Sequence, residues 1–267
     1  MSIAFQPSNN ERRVYNLIKD EPDERDIMFK AEKLNVSNVT LPLSYDLRST
    51  GFIPPVLDQG TLGSCGANQI SNSLRFCLRK IKSPDDFQPS RLFIYYFARL
   101  FEGSSLTEDT GITIRGGLRS VQQYGACKEN NWVYNIQNFT EKPTDLAVET
   151  AKVYIPGFKY ISVPQNLINI KQSLFGGFPI ICGIQIYTSF ESDRVRKSGI
   201  APLPNTQKEA LLGGHCVSIV GYNDVKKFFI LANSWGNWGN KGYFILSYDY
   251  ILNPKLASNF WIVTSFK

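Results

Sequence analysis

The apolar residues of this chain change their spacing once, and that change limits the fold more than any other feature. After residue 65 they recur at helical steps: Ala67, Ile70, Leu74, Cys77 and Leu78 follow three- and four-residue intervals, with Ser64 at the N-cap position. The runs "PSRLFIYYFARLF" (89–101) and "GGLRSVQQYG" (116–125) predict two more helices, the first buried on most sides. Beyond about residue 150 short β-rich runs take over: Lys152 to Val163, Pro179 to Tyr187, His215 to Gly221, Phe228 to Ala232, Gly242 to Tyr248 and Phe260 to Phe266. One amphipathic helix, roughly Gln165 to Leu174, interrupts them. Helices first and strands second predict an α+β protein of two lobes. A polar leader over residues 1–40 precedes them, so the expected body is 41–267, divided into lobes of about 41–150 and 151–267.

Composition narrows the function classes. The chain has 267 residues, 43% of them hydrophobic, enough for a sizeable core. Its longest apolar run, Phe178 to Tyr187, is too short to span a bilayer, and the N-terminus lacks the apolar region of a secretory signal, so no membrane partner is expected. Net charge is +6, but Lys and Arg are scattered and no nucleic-acid-reading motif accompanies them. The leader is the exception: with six basic and seven acidic residues it carries −1, leaving +7 on the body, and five of its acids fall in "DEPDERD" (20–26). Five cysteines, an odd count with no C-x-x-C pair, fit reduced thiols in an intracellular compartment better than a disulfide framework. One histidine and dispersed cysteines argue against a zinc site, and no phosphate-binding glycine motif is present.

Three short stretches carry chemistry. In "DQGTLGSCGANQ" (58–69), Cys65 lies among glycines and small residues with Gln59 six positions ahead. Alone it could be a packing residue, a metal ligand, half of a disulfide or a nucleophile. The only histidine, His215, stands in "LLGGHCVSIVGYN", where two glycines lead into a short apolar strand. Eighteen residues later "NSWGNWGNKGY" opens with Asn233, followed by Trp235 and Trp238.

Cysteine, then histidine, then asparagine in this order and rough spacing resembles the papain-like cysteine proteases (the cathepsin-like C1 peptidases), over residues from about 41 to the C-terminus. The resemblance implies the papain-like fold, a helical left lobe and a barrel-like right lobe with the cleft between them. It implies a hydrolase that cuts protein or peptide substrates as a thiol endopeptidase, needing no metal or cofactor, only a reducing environment. Cys65 would be the nucleophile, His215 the acid and base, Asn233 its orienter, Trp235 a cover over that bond, and Gln59 an oxyanion donor. The chemistry explains the set: a thiolate is the reactive form, and a helix N-terminus with an adjacent imidazolium stabilises it.

The resemblance also implies a glycine-rich edge for the substrate backbone, assigned to Gly111 and Ile112 with Gly116 and Gly117 as the competing pair. Gly214 would sit at a pocket floor and Trp238 on the leaving-group side. Leu62 and Gly66 replace a cysteine and a tryptophan usual in the family, and the asparagine motif is one residue short between its tryptophans. No segment resembles an occluding loop, so exopeptidase action is not expected. A zymogen whose leader covers the cleft or docks beside it is the expectation for residues 1–40, with a surface tail as the alternative. Two other functions fit the same triad: acyl transfer to an amine, as transglutaminases perform it, and a non-enzymatic binding protein.

Overall fold

The structure is a computed structural model and describes residues 13–37 and 39–267; the leader's first twelve residues and Asn38 lie outside it. Three helices build the left lobe: α1 (Cys65–Lys80), α2 (Arg91–Phe101) and α3 (Ile114–Tyr124). Each starts where the helical period begins. Ser90 caps α2 by accepting from Phe93 N–H, and Thr113 caps α3 by accepting from Gly116 N–H. α1 differs from expectation: the Ser64 side chain makes no cap bond, and its hydroxyl is engaged by Tyr134 Oη and Asn68 Nδ2 instead. Ile70, Leu74 and Leu78 of α1 pack with Leu92, Leu118 and Val121 in one buried cluster.

A seven-stranded antiparallel sheet forms the right lobe, preceded by the short β1 (Ser44–Asp46) and, further along the chain, by α4 (Asp145–Lys152). Its other strands are β2 (Lys159–Ser162), β3 (Ile180–Tyr187), β4 (Leu211–Asn223), β5 (Phe228–Ala232), β6 (Tyr243–Ser247) and β7 (Ala257–Ser265). They run in the order β2-β7-β3-β4-β5-β6, with β1 beside β4. Four helices fill the connections: α5 (Leu167–Phe175), α6 (Asp193–Ser198), the one-turn α7 (Trp238–Lys241) and α8 (Tyr248–Leu252). The architecture is the expected α+β type, with one correction. Lys152 to Val163 is not a single strand: α4 ends at Lys152, a turn follows, and only 159–162 pairs, against β7.

The lobes are joined through shared elements. Trp261, Val263 and Phe266, in and after β7, bury themselves in the helical cluster, and so does Cys216 of β4. Cys216 directly follows His215, and strand alternation turns it onto the face that meets α1. Gln69 of α1 accepts from Ser218 Oγ of β4 at 2.7 Å and donates to Ala232 O at the end of β5 at 3.4 Å. Those bonds fix the start of α1 against the strands that carry the next two groups of the site.

Candidate active site

Cys65 is the first residue of α1, where unpaired backbone N–H groups and the helix dipole favour negative charge. His215 stands on β4 opposite Ile184 of β3. Asn233 follows β5 immediately, and its Oδ1 lies 2.8 Å from His215 Nε2. That bond leaves His215 Nδ1 buried and without a hydrogen-bond partner among the described residues. Trp235 stacks on the imidazole, ring centroids 4.5 Å apart at 24°. Gln59 is oriented by two bonds: its Oε1 accepts from Ser234 Oγ at 2.6 Å, and its Nε2 donates to Leu62 O at 2.9 Å. The second Nε2 hydrogen is not used by either bond. His215, Asn233 and Gln59 are thus drawn together from β4, the end of β5 and the turn before α1, and the Cys65 side chain reaches the backbone N–H of Cys216, next to His215.

The leader runs through this site. Leu17 N–H donates to Gly214 O at 3.0 Å, and Ile18 N–H donates to Ile112 O at 3.1 Å, so the leader main chain bridges β4 and the segment entering α3. Tyr15 sets its ring edge-on to both His215 and Trp235, at 6.0 and 5.9 Å. Arg13 lies 4.1 Å over Trp235 and pairs with Glu191. The Leu17 side chain occupies a notch floored by two glycines: a Cβ on Gly183 would come within 2.9 Å of it, and one on Gly66 within 3.8 Å. Ile112 packs over Gly66, its side chain 3.0 Å from where a Cβ on Gly66 would stand. Gly111 (φ +74) lies so close to the Asn16 carbonyl that no side chain fits. Gly116 and Gly117 lie inside α3, Gly117 against the Ile70 and Ile112 side chains and Gly116 against Glu102.

A second leader segment anchors the first. Asp20 Oδ2 accepts from Trp261 Nε1 at 2.8 Å, and its Oδ1 accepts from Arg115 N–H at 3.0 Å. Asp23 pairs with Arg119, and Asp26 with Arg115. The acidic cluster therefore meets the start of α3, a contact foreshadowed by the opposite charges of leader and body.

With the leader in place the site is dry. Cys65 and His215 are 1% and 0% exposed. Burial pushes the Cys65 thiol up to about 12, although the backbone N–H groups of Cys216 and Gly66 pull it down. Burial also pushes His215 down to about 4, against the opposing pull of the Asn233 hydrogen bond. Both groups are neutral in this state through the ordinary pH range. Glu191 is raised by burial, with Arg13 counteracting. All five cysteines are free and buried. No helix among the described residues is long and apolar enough to cross a membrane.

Trp238 lies beyond Trp235, stacked on Phe190 at 5.3 Å, with the Arg13 guanidinium 5.7 Å above it. Sequence reasoning did not single out Tyr15, Leu17, Tyr134 or Glu191, whose importance depends on contacts far along the chain.

Residues 109–260 match the papain family cysteine protease profile. An uncharacterized peptidase C1-like protein of Acanthamoeba polyphaga mimivirus is 39% identical over 94% of this chain and 86% of that protein. Cysteine proteinase 1 of Entamoeba histolytica is 24% identical over 91% of this chain and 79% of its own length. Among solved structures, xylellain, a cysteine protease from Xylella fastidiosa, superposes with a TM-score of 0.84 at 32% identity, covering 100% of this chain and 99% of that one. A digestive procathepsin L from Tenebrio molitor shares the fold at 20% identity and a TM-score of 0.65, covering 85% of this chain and 71% of its own. This chain belongs to the papain family of cysteine proteases, and its fold is the papain-like fold.

Proposed function

We propose that this chain is a cysteine endopeptidase acting through a Cys65–His215 pair and closed by its own leader. One observation carries the reading: leader main chain bonded to both Gly214 O and Ile112 O, with Tyr15 against the imidazole. A peptide strand is what this cleft accepts.

In the open state Cys65 passes its proton to His215 Nδ1, while Nε2–H stays on Asn233 Oδ1. The thiolate attacks the scissile carbonyl carbon, and the carbonyl electron pair moves to oxygen. Gln59 Nε2 and the Cys65 backbone N–H donate to that oxyanion. As the C–N bond breaks, Nδ1–H protonates the leaving amine and a thioester remains. Water then gives a proton to Nδ1 and adds to the thioester. The C–S bond breaks, releasing a carboxylic acid and restoring thiolate and imidazolium.

Family resemblance puts the leaving side at Trp238 and the acyl side at Gly111 and Ile112. The leader runs from Arg13 near Trp238 to Ile18 near Ile112, opposite to a substrate. That reversed direction supports slow self-cleavage.

Two measurements test this. A peptide incubated with full-length protein and an added primary amine is expected to yield internal cleavage to free carboxylic acids, with a transient acyl mass on Cys65. Transfer products alone would overturn the hydrolytic reading. Arg119→Ala removes the ion pair to Asp23 (2.8 Å) and is expected to raise basal turnover about two- to fivefold, an effect that shrinks in high salt. Unchanged turnover at low salt would remove the Arg119–Asp23 pair from the leader's anchorage.

A further inference from the structure

Gln59 stands in the turn before α1 and Cys65 opens that helix, so the spacing of the two proposed oxyanion donors depends on what holds the turn. One support is Tyr134, a half-buried residue on the segment between α3 and α4. Its hydroxyl lies 2.9 Å from Gln59 O and 2.5 Å from Ser64 Oγ. A carbonyl can only accept, so the single phenolic proton goes to Gln59, and Ser64 donates to Tyr134. Ser64 Oγ in turn accepts from Asn68 Nδ2 at 3.0 Å, and Asn68 Oδ1 accepts from Arg91 Nη1 at 3.2 Å. The protons all point one way, from Arg91 through Asn68, Ser64 and Tyr134 to the Gln59 carbonyl, an order in which each bond polarises the next.

Arg91 closes the circuit. The same Nη1 donates to Asp58 O at 2.9 Å, one residue before Gln59, and the guanidinium lies 3.7 Å over the Tyr134 ring. Glu129 fixes that guanidinium by accepting from Nε at 2.9 Å and from Nη2 at 2.7 Å. Gln59, Ser64 and Asn68 are each 1% exposed or less, so bulk water does not replace a bond lost here. Burial raises the Tyr134 hydroxyl above its ordinary range, and it keeps its proton. These bonds engage the turn rather than the thiol or the imidazole.

We propose that the Tyr134 hydroxyl is a positioning group for the oxyanion donors: it sets where Gln59 stands relative to the Cys65 N–H, without acting on the Cys65–His215 pair. The inference rests on the peptidase reading above. Its consequence is a separation of two reactions at one sulfur. Attack on a peptide carbonyl builds negative charge on oxygen and needs both donors where that oxygen arrives. Iodoacetamide reacts by displacement: sulfur bonds to the methylene carbon, iodide leaves with the electron pair, and no oxyanion forms. A looser turn slows the first reaction and spares the second.

The test is Tyr134→Phe, which keeps the ring under Arg91 and deletes only the hydroxyl. It is compared with its parent, full-length protein opened by Leu17→Asp, on one coumarylamide peptide and with iodoacetamide. Turnover is expected to fall about tenfold in kcat with KM held within about twofold, while Cys65 alkylation from about pH 5 to about pH 8 stays within about twofold of the parent. Ser64→Ala, which removes the proton that Tyr134 accepts but leaves the bond to Gln59, is expected to lose about threefold in kcat with alkylation again spared. Unchanged kcat in Tyr134→Phe overturns the inference. Parallel loss of turnover and alkylation overturns it too, because the hydroxyl then serves the fold or the ion pair. A parent that cleaves no peptide strikes the peptidase reading itself and takes this inference with it.

Discussion

Full-length protein carrying Leu17→Asp is expected to turn over peptide about a hundredfold faster than the unaltered chain. Leu17 fills the notch above Gly66 and Gly183 and packs against the helical core. Removing that contact costs the closed state about 1.5 kcal/mol, and a carboxylate placed there adds a comparable desolvation penalty. Together these shift closed toward open by about two powers of ten, and activity follows the open fraction while the closed form dominates. Initial rates on one peptide, compared at equal active-site concentration, check it. Equal rates in the two proteins would mean that the leader does not limit access, and the zymogen reading would fall.

The state of the nucleophile should differ still more. In the closed chain a thiol near 12 and an imidazole near 4 cannot form an ion pair at neutral pH, because burial opposes both charges. A thiol's thiolate fraction falls tenfold for each pH unit below its pKa, so alkylation of Cys65 in the unaltered chain should be slow and climb steadily with pH. Its floor is set by brief opening of the leader. Once Leu17→Asp admits water, His215 regains its ability to hold a proton and the α1 N-terminus stabilises the thiolate. Alkylation should then stay fast down to about pH 5 and exceed the closed chain by about a thousandfold at about pH 6. Site-resolved mass spectrometry against pH measures both curves. If Cys65 in the open protein titrates like a free thiol, the ion pair is absent and the triad reading is lost; His215→Ala in the same background shows what that curve looks like.

Much of this architecture is legible in the sequence because its periods are local. Helical spacing marks α1, α2 and α3 to within a few residues, and β3, β5 and β6 stand where β-rich runs predict them. Cys65, His215, Asn233 and Gln59 could be proposed from the sequence because a whole motif surrounds each, and motifs are local too. The misread stretch, 152 to 163, has β-branched residues in number but contains Pro156 and Gly157. Gly157 passes so close to the Lys267 main chain that a Cβ would meet Lys267 O at 2.4 Å. That constraint comes from the far end of the chain. Tyr134 was missed for the same reason: its partner Gln59 lies 75 residues away, and nothing around it in the chain announces the contact. Ser64 looks like a cap, yet Tyr134, 70 residues on, claims its hydroxyl.

The leader is one continuous piece with the body, and its anchors end before an exposed stretch. Ile27 O and Phe29 N–H bond to Ser162, Val36 is buried with its carbonyl accepting from Gln172 Nε2, and Val39 and Leu43 are exposed further on. While that stretch is whole, the leader's local concentration at the cleft is set by chain geometry, about millimolar for a short tether, and adding or removing protein from the solution changes nothing. A single cut there turns the same contacts into an encounter between two molecules. Occupancy of the cleft would then follow the amount of protein present, and dilution alone would release the enzyme. One peptide bond thus separates a self-contained device from a population that senses its own abundance.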